Sequence, residues 1–194
     1  STQGDTLFPY TTLFRSWNWW GRSATTDEEF IAFWRFIVSY LRDTKGIHNV
    51  IYAISPQMDA VYKDTEERLL FRWPGDEWVD FLGMDCYHGR NRAAFESNVK
   101  AIVGLSAKLG KPVGVTETGL ENNHTSDYWT HDVLPALKGR HCSMVVAWRN
   151  ESTRHAFGPY PSDASAADFK LFFQDPWTLF EQDLPDMYTM PRNV

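Results

Sequence analysis

The chain is short of cysteine, of clustered positive charge and of long apolar stretches, and each shortage closes off a class of function. Its two cysteines, Cys86 and Cys142, lie far apart at no metal or redox spacing, so they read as buried free thiols that leave the compartment open. The six histidines (His48, His88, His124, His131, His141, His155) form no HExxH pattern, and no glycine-rich nucleotide loop is present. Neither a metal nor another cofactor is expected. Nineteen Lys and Arg against 25 Asp and Glu leave a formal charge of −6 with no basic run, which argues against nucleic acid and against an anionic membrane surface. No uncharged apolar run reaches about 18 residues, so no membrane insertion is expected. No signal-peptide pattern opens the chain, and a chain cut at its start would have lost one anyway.

What is abundant is aromatic. Nine Trp, eight Tyr and thirteen Phe make up 15% of the 194 residues, many beside Gly, Asn and Arg rather than inside apolar runs. Flat amphipathic rings at a rim suit sugar faces, while most of the Phe belong to a core. With 43% hydrophobic and 23% charged residues, the composition is that of one globular domain.

Helical and strand-like segments alternate. Thr26 and Glu29 make a capping box, after which Phe30, Trp34, Ile37, Val38 and Leu41 recur at helical spacing until Gly46. Asn49 to Ile54 and Trp78 to Met84 read as buried parallel strands. Phe95, Val99, Ile102, Val103 and Leu109 share a helix face stopped by Gly110, and Lys111 to Glu117 follows as a strand. A helix is expected over Ser126 to Leu137, frayed by Pro135, then a strand over Ser143 to Trp148 and a helix over Ala164 to Gln174. Strand and helix repeating at roughly 30 to 40 residues indicates a parallel sheet with right-handed connections. Four such units do not close an eight-stranded barrel, which takes about 250 residues. The alternatives are a smaller open sheet or the second half of a barrel.

Val115-Thr116-Glu117-Thr118-Gly119 is the most informative stretch, a single carboxylate closing a β-branched run, where a barrel presents its chemistry. Taken alone, a strand-end Glu is more often an ordinary partner of an Arg. Its context changes that reading. WNWWGR (Trp17 to Arg22), the helix from Glu29 to Val50, YAISP (Tyr52 to Pro56), WPGDEWVDFLGMDCYH (Trp73 to His88), GKPVGVTETG (Gly110 to Gly119), VVAWRN (Val145 to Asn150) and GPYPSDASAADFKLFFQDP (Gly158 to Pro176) resemble, in order, the motifs of glycoside hydrolase family 26, mainly β-mannanases.

The resemblance implies the α/β class and the second half of a (β/α)8 TIM barrel, about four to five β/α units. It also implies retaining hydrolysis, for which two carboxyl groups must lie about 5 to 5.5 Å apart. By resemblance Glu117 is the nucleophile, Tyr87 of the Asp-x-Tyr motif supports it, and Asp85 orients the group from behind. Trp148 is the floor under the sugar, Arg149 reaches the next sugar, and Trp17 lies near the cleaved bond, with Trp19 and Trp20 partly structural.

The departure is as specific. In the family a Glu five residues before the tryptophan matching Trp17 is the acid/base; here that position is Thr12, preceded by Thr11 where a His is expected. A threonine hydroxyl is far too weak an acid for the task. The run TLFPYTTLFRS (Thr6 to Ser16) also reads like the translation of a common sequencing-adapter oligonucleotide, although PYTTLF is strand-like. Residues 1–16 are therefore expected to be non-native and 17–194 a partial catalytic domain.

The expectation is the C-terminal half of an endo-β-1,4-mannanase acting on mannan, glucomannan or galactomannan, inactive as it stands and prone to self-association through exposed strand edges. A member acting on β-glucan or β-xylan, an exo-mannobiohydrolase, and a non-catalytic carbohydrate-binding module are the alternatives. A polymeric substrate implies an extracellular, periplasmic or surface location. The sequons at Asn123 and Asn150 are not expected to carry glycans.

Overall fold

A computed structural model describes residues 21, 23–123 and 125–186, together with the backbone of 6–11. Among the described residues, five strands run parallel in one sheet in chain order: β1 (Thr6–Thr11), β2 (Val50–Ser55), β3 (Phe81–Cys86), β4 (Val113–Thr118) and β5 (Val145–Ala147). Each strand pairs with its predecessor, as in consecutive units of a β/α barrel, and β1 and β5 form the edges. The strand-like run Thr6 to Thr11 adds one strand to the four expected, lying in register beside β2 from Thr6↔Val50 to Thr11↔Ser55.

The first helix, α1 (Asp27–Ser39), starts as its sequence dictates: Thr26 N donates to Glu29 Oε2 (2.8 Å) and Glu29 N to Thr26 Oγ1 (3.2 Å). Phe30, Trp34 and Val38, a stripe at spacing four, pack on Tyr52 and Ile54 of β2 and on Val79. A wider π-helical turn (Tyr40–Thr44) continues it. Helix α3 (Arg92–Leu109), capped by the Asn91 side chain and ended by Gly110 at φ 65°, buries Phe95, Val99, Ile102 and Leu105 against Leu82, Met84 and Cys86 of β3 and Val113 and Val115 of β4. Gly110 suits that left-handed turn because it has no Cβ to clash.

Alternate strand residues thus face the helices. The opposite face is small and polar, with Ser55, Gly83, Asp85 and Thr116 all meeting there. A Cβ on Gly83 would stand 2.6 Å from Thr116 Cγ2, so the close approach of neighbouring strands requires glycine.

Elsewhere the structure departs from sequence patterning. The segment expected as one helix from Ser126 divides into a π-helical turn (Tyr128–Val133) and a short α4 (Leu134–Leu137), because Pro135 lacks an N–H and is accommodated only in a first turn. The short α2 (Thr65–Leu69) and a hairpin of β6 (Asn150–Ser152) with β7 (His155–Ala156) carry too little periodicity to be read in advance. The last helix, α5 (Ala166–Phe173), falls where expected.

Candidate active site

Simple alternation would turn Glu117 into the helix layer. Val113 and Val115 point to the helices, and period two puts residue 117 on that same face. A β-bulge overrides this. Met84 faces Val115 and Asp85 faces Glu117, so β4 fits two residues, Thr116 and Glu117, where β3 has one, Asp85. Both side chains then serve the polar face, Thr116 towards Ser55 and Asp85, Glu117 towards Tyr87.

The Tyr87 hydroxyl donates to Glu117 Oε2 at 2.8 Å, just beyond the end of β3. Glu117 is only 3% exposed, so this donor stabilises a carboxylate that burial would otherwise disfavour. Tyr87 is held at both ends. The chain after β2 continues beside β3, with Asp85 N donating to Pro56 O (2.9 Å) and Met58 N to Asp85 O (2.7 Å), which brings Asp59 Oδ1 within 2.7 Å of Tyr87 N. On the other side the Phe157 ring packs edge-on against the Tyr87 ring, 5.4 Å between centroids at 69°.

Asp85 is fully buried and accepts from Ser55 Oγ (2.9 Å) and Thr116 Oγ1 (3.0 Å). Its grip is on the bulge residue beside Glu117. Trp148 lies just past β5, its backbone N–H donating to Thr118 O (2.8 Å) and the residue 36% exposed, and Arg149 is exposed with Glu151 Oε2 at 3.6 Å. His88 is a packing residue: buried, stacked on Phe95 at 4.3 Å and on Tyr128 at 5.8 Å, with burial pushing its pKa below the usual histidine value. Burial likewise pushes the Cys86 thiol up to about 12, which makes it inert; Cys142 is half-buried with its pKa raised by desolvation.

Glu117, Tyr87 and Asp85 therefore meet at the ends of β3 and β4, and Trp148 and Arg149 follow the next strand. Thr12, Trp17, Trp19 and Trp20 lie outside the described residues. Asp59, Ser55 and Phe157 escaped sequence reading, since each owes its place to a neighbouring strand or hairpin and carries no local pattern. Asn150 is also engaged, its carboxamide bonded to Phe157, Gly158 and Pro159 backbone atoms.

A parallel β/α sheet with a buried carboxylate and a phenol paired across the C-terminal ends of adjacent strands is the layout of a barrel enzyme's working rim. The chain belongs to glycosyl hydrolase family 26, whose model matches residues 7–183. It is 37% identical over 112 residues to a mannan endo-1,4-β-mannosidase of Bifidobacterium adolescentis, covering 54% of this chain and 11% of that protein. A Bacillus subtilis enzyme of the same name is 28% identical over 172 residues, covering 84% and 41%. Among solved structures, a GH26 β-mannanase from Bacteroides ovatus superposes with a TM-score of 0.86 at 34% identity, covering 97% of this chain and 55% of that one. The modular endo-β-1,4-mannanase of Cellulomonas fimi gives 0.83 at 28%, covering 95% and 44%. The chain thus spans about half the length of these barrel structures.

Proposed function

We propose that this chain is the C-terminal half of a retaining endo-β-1,4-mannanase, with Glu117 as nucleophile. The observation that carries the reading is the 2.8 Å bond from Tyr87 Oη to a buried Glu117 at the tips of adjacent strands. In the complete enzyme Glu117 attacks the anomeric carbon, an acid protonates the departing oxygen, and water then releases the sugar from the glycosyl-enzyme. Tyr87 holds the carboxylate charged and aimed; Trp148 offers a stacking face, Trp17 lies near the cleaved bond and Arg149 reaches the next sugar. Asp85 braces the bulge that presents Glu117.

The chain by itself does not turn over mannan, because Thr12 occupies the acid/base position and cannot protonate a glycosidic oxygen. Residues 1–16 are non-native and 17–194 are the partial catalytic domain. The adapter-like run and the break in the family motif at the same point support this. The family match starts inside the run, at residue 7. Native codons over Thr6 to Ser16 that differ from the adapter oligonucleotide would overturn it.

Self-association follows from the open flank at β5, where Val146 and Trp148 are exposed and a cavity of about 500 Å³ is lined by Trp129, Phe169, Phe172, Trp177 and Phe180. The sedimentation coefficient then rises with concentration. A polymeric substrate places the parent enzyme outside the cytoplasm.

The decisive experiment is the complete gene assayed on mannan, lichenan and xylan, with Glu117→Ala beside it. Release of reducing ends from mannan, abolished in the variant, is expected. Hydrolysis of lichenan or xylan alone would move the substrate to β-glucan or β-xylan, and mannobiose as sole initial product would make the enzyme exo-acting. Binding without turnover in the complete protein would make this a carbohydrate-binding module instead.

A further inference from the structure

We infer that Asn150, acting through Phe157, is a positioning residue that sets the Tyr87–Glu117 hydrogen bond; the inference rests on the reading of Glu117 as nucleophile. Asn150 opens β6, and its carboxamide closes on the strand's own return. Oδ1 accepts from Phe157 N (3.0 Å) and Gly158 N (2.9 Å), while Nδ2 donates to Gly158 O (3.1 Å) and Pro159 O (3.5 Å). A side chain that engages both donor and acceptor of its amide in this way leaves the clamped turn little freedom.

The clamped residue is wedged between the two strand ends that carry the site. On one side the Phe157 ring meets Tyr87 edge-on. On the other its backbone crosses Gly119, two residues past Glu117, so closely that a Cβ there would lie 2.8 Å from Phe157 Cβ and from Phe157 O. Gly119 sits at φ 131°, a conformation that side chains rarely adopt, and so the approach is available to glycine alone. Asn122 N donating to Ala156 O (2.8 Å) and the His155 Nδ1–Glu121 Oε1 pair (2.8 Å) tie the hairpin to the same loop after β4. Those contacts hold the hairpin down. Asn150 and Phe157 are the ones that transmit its position to the phenol. A shift of the Phe157 ring lets Tyr87 rotate, and a hydrogen bond at 2.8 Å weakens steeply as its angle opens.

The test reads the phenol directly in the 194-residue chain. With 3-fluorotyrosine in place of tyrosine, the ¹⁹F signal of Tyr87 is assigned by its loss in Tyr87→Phe, and the change in its shift on Glu117→Gln reports the coupling between the two groups. In Asn150→Ala and in Phe157→Ala the coupling falls to less than about half of its original size, the non-additivity expected of linked residues. Asn150→Asp, which keeps the acceptor for Phe157 N and Gly158 N, retains most of it. Phe157→Leu, which keeps bulk without the ring edge, gives the same loss if the alanine variant does not fold, as judged by near-ultraviolet circular dichroism. A coupling that survives intact in the folded Asn150 and Phe157 variants makes them hairpin anchors only and overturns the inference, while the nucleophile reading still stands on the polysaccharide assay. No response of Tyr87 to Glu117→Gln in the unmodified background overturns it too.

Discussion

Burial of His88 makes the fold acid-sensitive below pH 6.5. The ring is 4% exposed, stacked between Phe95 and Tyr128, with Nδ1 3.4 Å from Cys86 O. Desolvation lowers its pKa from the ordinary histidine value of 6.5, despite the opposing influence of the Cys86 carbonyl, Asp132 and Asp59. Below pH 6.5 the unfolded chain therefore binds a proton that the folded chain refuses, so stability is complete above that pH and lost as pH falls. One pH unit below, at pH 5.5, the loss is at most about 1.4 kcal/mol, the limit in which the folded ring takes up no proton. With a urea dependence of about 1–3 kcal/mol per molar, that limit corresponds to a drop in the unfolding midpoint of at most roughly 0.5–1.4 M.

The carboxylates held low by basic neighbours, Asp43 by Arg42, Asp64 by Arg68, Asp127 by Arg90 and Asp175 by Lys138, act in another range. Their stabilisation is present above 3.8 and fades only below it. Urea unfolding of wild type and His88→Phe, at pH 7.5 and 5.5, separates the two. The variant keeps the stacked ring but cannot titrate, so its midpoint moves less between the two pH values. Equal pH dependence in both proteins would refute the argument.

In the completed enzyme, Tyr87→Phe removes a hydrogen bond to a charged group worth about 1.5–3 kcal/mol, and kcat/KM on mannan falls roughly 10- to 100-fold with the fold intact. Gly83→Ala drives a methyl against Thr116 and Ser55 and costs about 1–3 kcal/mol by urea unfolding. Thr26→Ala removes one half of the α1 capping box and costs about 1 kcal/mol by the same measurement; no loss would mean that the cap is redundant.

The physics of short-range order was legible without coordinates. The capping box at Thr26 and Glu29, the stripe of Phe30, Trp34 and Val38, the stop at Gly110 and the apolar strands were all written in residue type and spacing, because a helix or strand buries whichever face its period makes apolar. The motif order placed Glu117 and Tyr87 at neighbouring strand ends. Asp59, Ser55 and Phe157 were not legible, since their roles come from segments brought alongside by the sheet and by the hairpin.

What the sequence determined by itself is therefore the longer helices, four of the five sheet strands and which residues close β3 and β4. Which way Glu117 points was decided by tertiary structure alone. Alternation along Val113 and Val115 sends it into the helix layer, and only the extra residue that β4 accommodates against β3, braced by Asp85 and Ser55 on Thr116, turns it to the phenol. A bulge is a property of the pairing between two strands, and pairing is not written in either strand alone.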